Sequence, residues 1–451
     1  MSEEFPNWAD SRQVMKMKKT LLNTLLMAAF LPLFLVITSC DGGGKKEVAP
    51  SPKTAVTLLH YFTGSLSGGV TELAQAFNSK NPRYDLKAVS LDHEAFKSSI
   101  RDTLTSGNPP DLYSYWAGAR TASIVDHLEP IDDVWQQGSF DSLFSPSIVK
   151  AASDYNGRKY LIPITQHYIG FFYNRKVFAA HKLKPPTSWN DLLASCSRLK
   201  AAGIVPIALG ARDKWPAQFW FDLLLVRTAP YEFRQSLMNG TARFDDPKVL
   251  AVFSRWKTLI DQGCFNRKPH PNDLAWDTGA NEMVYRGEAA MTLMGTWSIG
   301  YFENADHQWR AGQDYDFFPF PIIDPEIPIV ALGPIDGLVM PKRAVNRDGA
   351  KAALLLMAQI DAQKAFSRGS GALAPNMRVE DGFYSDIQRR VRDEIVRSQT
   401  FSFAFDLATP PLVAALGLDA FSEFLAFPAA YPQIVRALAE GASTQFKALG
   451  H

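Results

Sequence analysis

This chain predicts an α/β fold, on three observations. Short apolar runs alternate with amphipathic stretches, a strand–helix–strand order recurs in two successive regions, and 451 residues exceed one typical domain and suggest two. Residues 56–62 form the first expected strand. Gly68 and Gly69 open a helix through residue 77, where Val70, Leu73, Ala74 and Phe77 recur at helical spacing. A second strand is expected at 83–91 and a second helix at 94–104; Gly107-Asn108-Pro109-Pro110-Asp111 is then a turn into a third strand at 112–115. The order returns after Ile162, with a strand at 169–173, a helix at 189–202 and a strand at 206–209.

With 46% hydrophobic residues and a net charge of +1, the chain can bury a sizeable core and has no basic excess that would point to nucleic acid. Besides Cys40 it carries Cys196 and Cys264, too few for a disulfide framework and without metal-ligand spacing; they read as two buried thiols, although an exported chain permits a bridge. No cofactor or metal is expected. Ser147-Ile148-Val149-Lys150 with Ser153-Asp154 matches two elements of penicillin-recognising enzymes, but they lie too close together and no Lys-Thr-Gly follows. Gly-x-Ser-x-Gly, His-Glu-x-x-His and phosphate-loop patterns are lacking, so no enzyme is expected, although abundant carboxylates leave a glycosidase pair open.

Lys16, Lys18 and Lys19 precede an apolar run at 21–36 and then Ile37-Thr38-Ser39-Cys40, which resembles a bacterial lipoprotein signal with lipid placed on Cys40. The alternative is an uncleaved membrane anchor; both export the remainder. Asp41 resembles the signal that retains lipoproteins at the inner membrane, which would hold the protein on its periplasmic face. Residues 1–15 are polar and acidic, so translation is expected to start at Met15 or Met17. Residues 1–39 are then extension and signal, and 40–53, rich in Gly, Lys and Pro, a lipidated flexible tether.

Gly157-Arg158-Lys159-Tyr160-Leu161-Ile162-Pro163, then Gly170-Phe171-Phe172-Tyr173-Asn174-Arg175-Lys176-Val177-Phe178, then Pro185-Pro186-Thr187-Ser188-Trp189, resemble the central segment of extracellular solute-binding proteins of the maltose-binding type. Gly287-Glu288-Ala289-Ala290-Met291 leading to Gly295-Thr296-Trp297, a return crossing at 334–341 and a helix at 350–366 fit the same pattern. The resemblance spans most of residues 54–449. It implies two α/β lobes joined by a multi-strand hinge, 54–164 plus 332–366 and 165–331 plus 367–451, with the ligand in the cleft between them. It also implies a carbohydrate ligand, permease subunits of an ABC importer as partners, and a monomer. A sugar-sensing lipoprotein that partners a receptor would use the same closure.

A sugar presents hydroxyls at its rim and C–H patches on its faces, so its site needs flat rings for stacking and planar polar groups for the rim. Such residues stand at the expected element ends. Tyr61 and Thr63 close the first strand, with Tyr61 reading equally as core. Trp116 ends the third strand, where open α/β sheets bind ligands, with Arg120 just beyond. Gln166 and His167, beside Thr165, fall where the chain first crosses between lobes. Asp213 and Trp215 follow a second-lobe strand, and Trp276 and Asp277 lie in a polar segment. Trp297 is the residue that the resemblance sets against the sugar from the second lobe. Asp336 reads equally as ligand contact or hinge; Trp220 is read as core, and Arg368 and Asp406 as structural. Near-neutral charge and abundant Trp favour an uncharged sugar.

Overall fold

The computed structural model describes residues 52–450; the signal, Cys40 and the tether lie outside the described residues. Strand β1 (Thr54–His60) runs parallel to β2 (Tyr84–Ser90) and β3 (Leu112–Trp116). Between β1 and β2 the chain passes through the Ser67–Lys80 helix, which buries Val70, Leu73 and Phe77, a stripe at helical spacing. Between β2 and β3 runs the His93–Thr105 helix, whose first turn is fixed by Asp92: one carboxylate oxygen accepts from the Glu94 and Ala95 amides. That cap sets the position of the first helical turn, which later faces the cleft.

The first sheet does not close on consecutive strands. β4 (Leu161–Gln166) is its edge, and β9 (Ile335–Val339) inserts antiparallel between β3 and β4, giving the order β2-β1-β3-β9-β4. The second sheet is built from β5 (Ile169–Asn174), β6 (Val205–Ala208), β7 (Ala289–Gly295) and β8 (Tyr315–Phe318), in the order β8-β5-β7-β6. β5 and β7 are buried along their whole lengths, which explains their continuous apolar sequence.

Each sheet has its own core. One draws on residues between Val56 and Ile164, then Ile335 to Phe366, with Leu407; the other on Tyr168 to Leu332, then Leu373 to Phe446. The chain passes between them at three places that lie side by side. The His167 amide donates to Pro334 O at 3.0 Å, and the Gln166 and Leu373 backbones exchange two bonds of 2.8 Å. A Cβ at Gly333 would stand 2.0 Å from the His167 carbonyl oxygen, so this close approach of two crossings requires glycine.

The expected single helix at 350–366 is two, Arg347–Met357 and Ile360–Ser370, interrupted at Ala358 and Gln359. The Asn376 side chain donates to Ala358 O at 2.8 Å and Gln363 to Met357 O at 3.0 Å, so side chains take over carbonyls that a continuous helix would satisfy. Trp220 is fully buried. Cys196 and Cys264 are buried free thiols. Among the described residues no helix is long and apolar enough to cross a membrane, and no group of three or more His, Cys, Asp or Glu could hold a metal ion.

Candidate functional site

A cavity of about 340 Å³ opens between the two cores, within the range of ligand pockets. The ends of β1 and β3 form one wall. There the Tyr61 and Trp116 rings stack at 4.1 Å with an 11° interplanar angle. Tyr61 O–H donates to Asp336 at 2.6 Å, and Thr165 O–H donates to the other Asp336 oxygen at 2.6 Å. Burial pushes the Asp336 carboxyl up to about 6 although both hydroxyls favour its charged form. Asp336 belongs to the crossing strand β9 and lines the cavity, so its two readings describe one position.

The first two turns of the His93–Thr105 helix add His93 and Lys97 to the same wall. The His93 ring meets Trp116 edge-on at 5.1 Å and Trp215 of the other wall at 5.9 Å. Lys97 Nζ stands 5.7 Å from the Trp116 ring centre and 6.0 Å from that of Trp215. Glu94 Oε1 lies 2.8 Å from His93 Nδ1 and accepts from Lys97 at 3.0 Å. Burial would raise the Glu94 carboxyl, yet these two neighbours hold it below its usual range.

The opposite wall rests on the Trp215–Val226 helix, where Trp215, Gln218 and Phe219, at i, i+3 and i+4, face the cavity. Trp215, Trp276 and Trp297 form a triangle with ring centres 5.9 to 6.4 Å apart. Trp297 folds back over Gly295, where a Cβ would stand 2.1 Å from its ring, and His167 meets its edge at 5.3 Å. Its indole N–H is buried without a hydrogen-bond partner.

Asp406 closes this wall. Gln218 donates to one of its oxygens at 3.0 Å and accepts from its amide at 2.8 Å, while Arg120 donates to the other oxygen at 3.1 Å. Burial would raise this carboxyl, but Arg120 and Lys97 hold it low. Behind it, Asp222 accepts from the Phe405 amide at 2.7 Å and is itself paired with buried Arg234 at 2.7 Å, fixing the segment that presents Asp406.

The structure thus brings Tyr61, Thr63, Trp116, His167, Trp215, Trp276, Asp277, Trp297 and Asp336 to one cavity. Arg120, Gln166 and Asp213 are not part of its lining. Arg120 reaches it through Asp406; Gln166 pairs through its backbone with Leu373; the Asp213 carbonyl accepts from the Trp215 amide at 2.7 Å, just ahead of the helix. Asp406, read as structural, lines the cavity. His93, Lys97, Phe219, Tyr301 and Asn304 also do so without having been singled out. The i, i+3, i+4 spacing of Trp215, Gln218 and Phe219 was a usable signal; His93 and Lys97 look like any polar positions of an amphipathic helix.

Two buried histidines flank the site. Burial lowers His60 to about 4 and His167 to about 3. Their neutral forms are preferred in the fold, so the stability is fully present above about pH 6.5 and is lost as pH falls towards the folded values. For His60→Gln, the loss of unfolding free energy between pH 7 and pH 5 in urea titrations should be smaller than in the parent by about 2 kcal/mol. Equal losses would mean that His60 takes up its proton at the same pH in the folded and the unfolded chain.

The two separately cored lobes and the aromatic cavity between them define a ligand-binding protein of the maltose-binding type. The chain belongs to the bacterial extracellular solute-binding proteins, whose family model matches residues 63–364. An uncharacterised ABC transporter extracellular-binding protein of Pyrococcus horikoshii is 29% identical over 399 residues, 85% of this chain and 86% of that protein. The sn-glycerol-3-phosphate-binding periplasmic protein of Escherichia coli K12 is 24% identical over 261 residues, 54% of this chain and 57% of its own length. Among solved structures, the bacterial solute receptor AcbH, with an exclusive preference for β-D-galactopyranose, superposes with a TM-score of 0.81 at 25% identity, covering 89% of this chain and all of that one. A chitin oligosaccharide binding protein gives 0.77 at 20% identity, over 88% and 99% of the two chains, and shares the fold.

Proposed function

We propose that the protein binds a carbohydrate outside the cytoplasmic membrane and delivers it to the permease of an ABC transporter by closure of its lobes. The observation that carries this reading is the facing of Tyr61 and Trp116 on one core by Trp215, Trp276 and Trp297 on the other, with Asp277, Asp336 and Asp406 among them. Rings on both sides suit the two C–H faces of a sugar, and carboxylate acceptors suit its hydroxyls. The moving bodies are residues 54–164 with 332–366 and residues 165–331 with 367–451, and a ligand touching both favours the closed state by its differential affinity. Lipid on Cys40 would keep this cycle beside the permease, with the folded body acting as a monomer. We read the carboxylates as hydroxyl acceptors rather than as an acid–base pair.

The test is melting temperature against a panel of mono- and oligosaccharides, polyols and amino acids. One saccharide should give a saturable rise, with a dissociation constant near micromolar, about −8 kcal/mol, and chromatography should recover it unchanged. A rise with an amino acid alone, or the appearance of cleaved sugar, would overturn the proposal. Loss of uptake on deleting the neighbouring permease genes is the result expected for transport; intact uptake with altered gene expression would point to sensing.

A further inference from the structure

The ionisable groups at the cavity fall into a pattern that its aromatic character does not require. Its lining holds three carboxylates, Asp277, Asp336 and Asp406, and one cation, Lys97; of its two imidazoles His167 is buried and His93 partly so, and desolvation lowers the pKa of both. Arg120 adds a second cation just behind the wall. Each cation is already matched: Lys97 with Glu94 at 3.0 Å, and Arg120 with Asp406 at 3.1 Å. Asp277 makes no salt bridge among the described residues, and Asp336 accepts from two neutral hydroxyls, so the surplus at the cavity is negative. A phosphate or carboxylate entering it would lose water, find no unpaired cation and meet uncompensated carboxylates.

Glu94 holds the balance. Its side chain is 44% exposed and does not line the cavity, whereas the Lys97 side chain that it neutralises is 15% exposed and lies between the Trp116 and Trp215 rings. The oxygen that accepts from Lys97 also meets His93 Nδ1, so the carboxylate is held from two sides. Without it, the ammonium would keep only the attraction of Asp406, which Arg120 already pairs at 3.1 Å, and would be open to an anion in the cavity.

Resting on the carbohydrate reading above, we propose that Glu94 is a specificity-determining residue: by neutralising Lys97 from outside the cavity, it confines the site to uncharged saccharides and turns away phosphorylated polyols and sugar acids.

The experiment is calorimetric titration of the purified protein with neutral mono- and disaccharides and with sn-glycerol 3-phosphate, D-glucose 6-phosphate and D-glucuronate. The parent should take a neutral saccharide and none of the three anions. In Glu94→Gln the association constant for at least one anion should rise about tenfold or more over the parent's limit. Glu94→Gln/Lys97→Gln should lose that gain, showing that it acts through the ammonium. Glu94→Asp, which keeps the charge but withdraws it, should give a smaller gain and serves if the Gln variant does not fold. A parent that prefers an anion, or a folded Glu94→Gln protein with no gain for any of them, overturns this proposal alone. Absence of binding by every saccharide, charged or not, overturns the carbohydrate reading and this proposal with it.

Discussion

Arg234→Ala is expected to lower the free energy of unfolding by about 3–5 kcal/mol. Arg234 and Asp222 side chains are 2% and 0% exposed. Arg234 Nε and Nη2 donate to one Asp222 oxygen at 3.0 and 2.7 Å, Nη1 donates to Ser402 Oγ at 2.7 Å, and Nη2 also reaches Phe403 O at 2.7 Å. Truncating the arginine strands a carboxylate that burial already pushes above its usual range. Urea denaturation supplies the test. The double variant Asp222→Leu/Arg234→Met should recover much of the loss, because it removes both charges rather than orphaning one. If Arg234→Ala keeps the parent midpoint, the pair does not anchor the 402–406 segment.

The second large effect concerns affinity. Trp297→Ala should weaken saccharide binding by about 2–4 kcal/mol, some 30- to 1,000-fold, because a desolvated aromatic at the centre of a contact carries a disproportionate share of the energy. Gly295→Ala should reproduce that loss with Trp297 still present, since the added methyl would stand 2.1 Å from the indole and force it out of its place. Both variants should keep a cooperative thermal transition. A Gly295→Ala protein that binds like the parent would show that the ring can be displaced without cost, and so does not contact the ligand.

How far the amino-acid sequence discloses this site depends on where each side chain stands. Tyr61, Trp116 and Trp297 sit at the ends of strands or just beyond them, and strand ends are legible because apolar runs stop there. Lys97 and Phe219 sit within helices, where a cavity-facing position has the same spacing as a core-facing one. Asp406 was read as structural because its neighbours are aromatic; its role at the cavity depends on Arg120 and Gln218, which lie 286 and 188 residues away along the chain. The break at Ala358–Gln359 had no glycine or proline to announce it. It is stabilised by side-chain bonds from Gln363 and Asn376, 6 and 18 residues beyond the carbonyls they meet, at spacings that helical periodicity does not record.

The insertion of β9 between β3 and β4 has a consequence for how the molecule comes into being. Until that strand has been made, two neighbours of the first sheet lack the partner that joins them, and Tyr61 awaits an acceptor 275 residues further along the chain. Contacts so distant in sequence form slowly, because the closing of a long loop precedes any reward from it. A nascent chain crossing a membrane from its N-terminus therefore cannot complete its first lobe on the near side while the later strand is still missing. The topology itself delays the first lobe until residues 335–339 have been made.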